Sequence, residues 1–221
     1  MPRASNVPDL LSALPVCPAS CPVGIGAVVL RGFASERAGE LLDAVERIRA
    51  DAPFRRMTTP GGYAMSVAMT NCGELGWVTD RGGYRYQRVD PVTGRPWPAM
   101  PEALRSVATA AAEAAGYAGC APDACLINRY EPGARLSLHQ DRNERDQRAP
   151  IVSVSLGLPA VFLFGGMRRN DRPLRIRLDH GDIAVWGGAT RLAYHGVEAL
   201  ADGLHPLTGR CRINLTFRKA G

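Results

Sequence analysis

The chain has 221 residues, 46% of them hydrophobic and 22% charged, a length that supports one well-buried domain and is short for two independent cores. That balance excludes a disordered or collagen-like chain, and no apolar run reaches the roughly 20 residues that a membrane span needs. The net charge of +6 is almost all arginine, Lys219 being the single lysine, which suits a polyanionic partner without selecting one.

Residues 1–23 are rich in Pro, Ala and Ser without periodicity, so they read as a flexible leader. The short apolar stretch at 10–17 follows Asp9 and is broken by Pro15, which makes a poor secretory signal; the expected location is the cytoplasm, with no membrane partner. The six cysteines, at 17, 21, 72, 120, 125 and 211, lack the dense spacing of a disulfide scaffold, and Cys17 and Cys21 have no further metal ligands close by. Reduced thiols are expected.

The apolar, β-branched run at 27–30 predicts a strand. Ser35 then stands where it would cap a helix carrying Ala38, Leu41, Leu42, Val45 and Ile48 at helical spacing. From 53 to 98 the texture turns to Gly, Pro, Tyr and Thr with short extended pieces, a loop-rich, hairpin-like segment. Pro101 opens a second helix with Leu104, Val107, Ala108, Ala111 and Ala115 on one face, and Gly116 ends it. Beyond residue 123 come eight short extended segments, at 124–130, 135–139, 151–156, 160–164, 174–178, 183–186, 192–195 and 212–217. Their spacing, with Gly or Pro between them, predicts an all-β sandwich or jelly roll.

Two features carry chemistry. His139-x-Asp141 lies where a predicted strand runs out into a polar loop, and spacing of two on extended chain puts both side chains on one side. With His195 downstream, two histidines and one carboxylate supply three metal ligands and leave positions open for a co-substrate and O2. The H-x-D spacing alone is weak evidence, and His180 and His205 are read as structural. The second feature is the last segment, where Arg212, Asn214, Thr216 and Arg218 alternate with Ile213, Leu215 and Phe217. One face is apolar, and the other carries two arginines that either face water or grip a small dicarboxylate in bidentate fashion. Asn128 and Tyr130, also two apart, are placed to add hydrogen bonds.

At these residues the chain resembles the AlkB family of dioxygenases. The resemblance runs through Pro60-Gly61-Gly62-Tyr63, residues 65–73, Pro96-Trp97-Pro98-Ala99-Met100-Pro101, and residues 122–130, 136–141 and 149–159. It continues through His180-Gly181-Asp182, residues 185–188, Tyr194-His195-Gly196 and residues 214–218, so that it covers about residues 24–221. It implies a mainly β fold with flanking helices: a double-stranded β-helix (jelly roll) core at 123–221, preceded at 24–122 by a strand, helices and a nucleotide-recognition lid.

It also implies Fe(II), 2-oxoglutarate and O2, with His139, Asp141 and His195 as iron ligands and Asn128, Tyr130, Arg212, Asn214 and Arg218 as 2-oxoglutarate contacts. Met69, Trp77, Tyr84 and Arg169 match positions lining the substrate site. The implied reaction couples decarboxylation of 2-oxoglutarate to succinate with hydroxylation of an N-methyl group, which leaves as formaldehyde. The implied substrate is alkylated single- or double-stranded DNA of the 1-methyladenine and 3-methylcytosine type, with RNA left open, and the expected state is a monomer. A methyl on a Watson–Crick edge is reached only after the base leaves the stack, and the Trp77 indole suits stacking on a cationic base. Trp77, Arg81, Tyr84, Arg85 and Tyr86 are the lid's candidates for stacking and phosphate contact. This chain departs from the family at Asn143, where an aspartate is expected to face the exocyclic amine of the base. The competing expectations are a 2-oxoglutarate hydroxylase acting on another substrate, and a metal-binding jelly-roll module without turnover.

Overall fold

A computed structural model describes residues 20–221. The leader reading for 1–19, the apolar stretch at 10–17 and Cys17 fall outside those residues. In chain order the elements are β1 (Ser20–Gly24), β2 (Ala27–Leu30), α1 (Ala38–Asp51), β3 (Arg55–Thr58), β4 (Ala64–Gly73), β5 (Gly76–Asp80), β6 (Gly83–Gln87), α2 (Glu102–Ala114), β7 (Ala124–Tyr130), β8 (Leu136–His139), β9 (Ile151–Gly157), β10 (Ala160–Phe164), β11 (Leu174–Leu178), β12 (Ile183–Trp186), β13 (His195–Val197) and β14 (Arg212–Arg218).

An eight-stranded sheet, ordered β1-β2-β12-β9-β14-β7-β4-β3, faces a four-stranded sheet ordered β11-β10-β13-β8. This is the expected jelly roll. Alternation along the strands sorts side chains into two cores. On the outer face of the large sheet, Leu41, Val45 and Ile48 of α1 and Leu104, Val107 and Ala111 of α2 pack with Ile213, Leu215 and Phe217. Between the sheets, Leu126 and Tyr130 pack with Phe162, Phe164, Ile176 and Trp186. Both helices therefore lie on the side of β14 away from its polar residues.

Four local expectations are corrected. Residues 20–23, expected in the leader, belong to β1, which pairs antiparallel with β2; the backbone pairing outweighs a composition typical of loops. Ser35 makes no capping bond, because its residue begins a 3-10 turn that runs on into α1. Pro101 stands just before α2 as its cap position. The segment 192–195 is extended only at its end, since Gly188–Thr190 form a 3-10 turn and the strand starts at His195. Gly116 does end α2: with φ of 88° it takes the left-handed conformation, and its N–H and that of Tyr117 close on Glu113 and Ala112 carbonyls.

Part of the segment expected as a lid is built into the main sheet. β4 pairs with β7 from Ala68↔Arg129 to Gly73↔Ala124, while β5 and β6 form a separate hairpin beside it. The five described cysteines are free thiols. No described helix is long and apolar enough to cross a membrane.

Candidate metal and co-substrate site

The two sheets leave between them a cavity of about 890 Å³, lined from the large sheet by Asn128, Tyr130, Ser153, Arg212, Asn214, Thr216 and Arg218. From the small sheet come His139 and His195, which are register partners in the β8–β13 pair. Their close approach depends on Gly196, where a Cβ would stand 2.7 Å from the Leu136 carbonyl oxygen. The ring centroids lie 4.4 Å apart.

Asp141, just beyond β8, completes the group. His139 Nε2 lies 3.7 Å from Asp141 Oδ1 and His195 Nε2 lies 3.7 Å from Oδ2, and the candidate ligand atoms all fall within 4.8 Å of one another. Each Nδ1 is bonded to a backbone carbonyl, Ser137 for His139 at 2.9 Å and Ala193 for His195 at 3.0 Å. Nδ1 therefore carries the proton, and both Nε2 lone pairs face the carboxylate. Burial, together with the neighbouring His195, lowers the His139 pKa and favours the neutral imidazole that a metal needs. For Asp141, burial favours the neutral acid, but Arg218 and the two histidines outweigh it and hold the carboxyl well below the usual range. Two imidazoles and one carboxylate on one face are a donor set for a divalent iron with open positions.

The strand that offered two readings is buried along its whole length, so its arginines are not solvated. Arg212 is 1% exposed. Its Nη2 donates to Ser155 Oγ at 2.9 Å and its guanidinium lies over the Tyr130 ring at 5.1 Å, yet Nε and Nη1 have no protein acceptor. Asn128 Oδ1 is likewise unmatched, while its Nδ2 donates to Asn214 Oδ1 at 3.2 Å. Buried donors left open in a cavity wall are costly unless a ligand takes them. A ligand carboxylate at the Arg212 guanidinium would accept from one of these open donors. Arg218 sits at the opposite end of β14, donating from Nε and Nη2 to Asp141 Oδ2, so the two cations bracket the cavity.

Of the expected substrate residues, Met69, Trp77, Tyr84 and Arg169 all line this cavity. Met69 is buried, and Tyr84 is exposed and stacks on Trp77 with centroids 5.7 Å apart. Arg169 lies over the Tyr194 ring at 5.9 Å. Two of the expected stacking and phosphate candidates have partners within the protein. Tyr86 turns inward, its hydroxyl donating to Glu144 Oε1 at 2.7 Å, and Arg85 is held by Asp80 through two bonds. His180 and His205 are structural as expected: their rings stack, and His180 Nδ1 accepts from the Gly157 N–H.

Sequence reasoning missed several groups. Glu144 is buried and pairs with both Arg218 and Arg191, and Arg191 Nη1 donates to the Asp141 carbonyl at 2.8 Å. Nothing in a polar loop marks such residues beforehand. Ser153 and Ser155 hold Asn214 and Arg212; two serines at period two in an otherwise apolar strand were a usable signal.

A jelly roll with a two-histidine, one-carboxylate cluster beside buried arginines defines an iron- and 2-oxoglutarate-dependent oxygenase. The sequence agrees: residues 26–218 match the model of the 2OG-Fe(II) oxygenase superfamily, and the chain belongs to that family. Such enzymes use Fe(II), 2-oxoglutarate and O2. Among its relatives, the alpha-ketoglutarate-dependent dioxygenase AlkB of Escherichia coli (strain K12) is 60% identical over 200 residues, covering 90% of this chain and 93% of that one. The AlkB enzyme of Salmonella typhimurium is 63% identical over 199 residues, covering 90% and 92%. Among solved structures, OsALKBH1 superposes with a TM-score of 0.80 at 27% identity, covering 90% of this chain and 99% of that one.

Proposed function

We propose that this dioxygenase removes methyl groups from N-alkylated bases of the 1-methyladenine and 3-methylcytosine type in DNA, with RNA as the second polymer to test. The observation that carries the reading is one cavity lined both by the His139, Asp141 and His195 cluster with its open Arg212 donors and by the stacked pair of half-buried Trp77 and exposed Tyr84. The AlkB relatives, at 60% and 63% identity, support it.

In this reading His139, Asp141 and His195 hold Fe(II), which together with 2-oxoglutarate supplies the means to activate O2. Arg212 takes the distal carboxylate of 2-oxoglutarate through an open N–H of its guanidinium, with Tyr130 and Asn214 fixing that end and Asn128 beside them. Arg218 serves the end nearer the metal, where it also keeps Asp141 ionised. Trp77 stacks on the extruded base, Met69 supplies an apolar wall, and Tyr84 and Arg169 reach toward phosphate. Burial of the arginines and of Asn128 excludes water from the co-substrate end. The same reading has the protein act as a monomer in the cytoplasm, which sedimentation and cell fractionation test.

The test is mass spectrometry of methylated oligonucleotides incubated with the protein, Fe(II), 2-oxoglutarate and ascorbate. Loss of one CH2 per lesion, dependent on 2-oxoglutarate, is expected; intact lesions alongside turnover of another substrate class would overturn the reading.

A further inference from the structure

Beside the main cavity lies a second hollow of about 360 Å³, walled by Leu75, Tyr84, Arg85, Tyr86, Arg88, Asn143, Arg145, Ala220 and Gly221. Three of its side chains are arginines and none is acidic. Arg85 is neutralised by Asp80, but Arg88 and Arg145 are exposed and their side chains have no partner among the described residues. Two unpaired guanidinium groups in one hollow are an anion site by charge. The hollow also adjoins the reaction cavity, because Tyr84 and Asn143 line both.

We infer that Arg88 and Arg145 form a phosphodiester-binding subsite for the nucleic-acid strand next to the extruded base. The inference rests on the nucleic-acid reading above and extends it to the strand's path. With the base in the main cavity, Tyr84 and Asn143 stand at the ridge between the two hollows, and the backbone crossing that ridge brings a neighbouring phosphate to Arg88 and Arg145. Phosphate contacts of this kind position the strand and carry no sequence information. They raise affinity for polymer and leave the chemistry of the base untouched.

The experiment compares the wild-type enzyme, Arg88→Ala/Arg145→Ala, and Arg47→Ala/Arg49→Ala as a control that removes two exposed arginines from α1, on the far side of the large sheet. Each is loaded with Fe(II) and 2-oxoglutarate and given either a single-stranded methylated oligonucleotide or the 5′-monophosphate of 1-methyldeoxyadenosine. The pocket variant is expected to raise the oligonucleotide KM about fivefold and to lower the slope of log Kd against log salt by about 1, near the loss of two phosphate contacts to a single strand. Turnover of the mononucleotide should be unchanged, and the α1 variant should match wild type on both. An unchanged slope, or equal losses in the two variants, overturns the subsite. If inorganic phosphate binds wild type but not the pocket variant while oligonucleotide binding is the same in both, the hollow is a free-anion site and the strand assignment falls. A wild-type enzyme that neither binds nor demethylates the oligonucleotide overturns the nucleic-acid reading as well, which separates the two failures.

Discussion

Arg218 donates two hydrogen bonds to a single oxygen of Asp141, at 2.9 Å from Nε and 2.6 Å from Nη2, with both side chains buried. The same guanidinium lies 3.4 Å from Glu144, itself buried. Arg218 is thus the cation of Asp141 and shares Glu144 with Arg191.

Removing that cation by Arg218→Ala leaves Asp141 buried without its cation, while Glu144 keeps Arg191 at 3.3 Å, a change that costs about 3 kcal/mol or more. Denaturant unfolding of the metal-free protein should show the loss, and Arg218→Lys should recover part of it. An unchanged midpoint in the alanine variant would mean that water satisfies Asp141 in solution.

Arg212→Ala is expected to act differently, raising the KM for 2-oxoglutarate by more than tenfold while Fe(II) affinity stays near wild type. Each charge-assisted contact to a carboxylate is worth about 1.5–3 kcal/mol, and Arg212 has two open donors. Succinate formation against 2-oxoglutarate concentration gives the answer; a flat KM would place the dicarboxylate elsewhere.

His139→Ala, Asp141→Ala and His195→Ala should each abolish turnover, since each removes one of three ligand side chains. Bound iron per chain, measured after anaerobic loading, should fall in parallel. Full activity of any one variant at limiting Fe(II) sinks the assignment.

Asn143 lines the cavity wall, and its amide offers a base an acceptor without charge. Asn143→Asp should shift the ratio of kcat/KM for 1-methyladenine over 1-methylguanine oligonucleotides about fivefold toward the cationic base, because charge-assisted bonds are about twice as strong as neutral ones. An unaltered ratio at matched salt means that residue 143 does not face the base.

Outside the cavity, Arg55 grips Asp90 at 2.9 and 2.6 Å. Burial would raise the Asp90 pKa, but the bonds from Arg55 and the Val92 N–H overcome it and the pKa is lowered from 3.8. A depressed carboxylate pKa contributes stability above the unfolded value and loses it as pH falls through the folded one. Arg55→Ala should therefore cost about 2 kcal/mol near neutrality and progressively less below about pH 4. Thermal unfolding of both proteins across that range tests the sign; a constant difference at all pH values would assign the loss to packing on Trp97, over which Arg55 also lies.

The sequence determined a good deal. Alternation in residues 212–217 is a local property of extended chain, so it specified β14 and its two faces, and the H-x-D spacing put His139 and Asp141 on one side. The strands at 124–130, 160–164, 174–178 and 183–186 were legible to the residue, because turn residues bound each of them. Tertiary structure alone decided which face of β14 is dry, since burial of Arg212 depends on a second sheet packing over it. It also decided that Tyr86 turns inward to Glu144 rather than out toward a base, and that Arg191 reaches back 50 residues to the Asp141 carbonyl. These are contacts between side chains distant in sequence, and local spacing carries no information about them. The bringing together of His139 and His195 depends on β8 and β13 lying side by side in register, a pairing fixed only when the sandwich closes around Gly196.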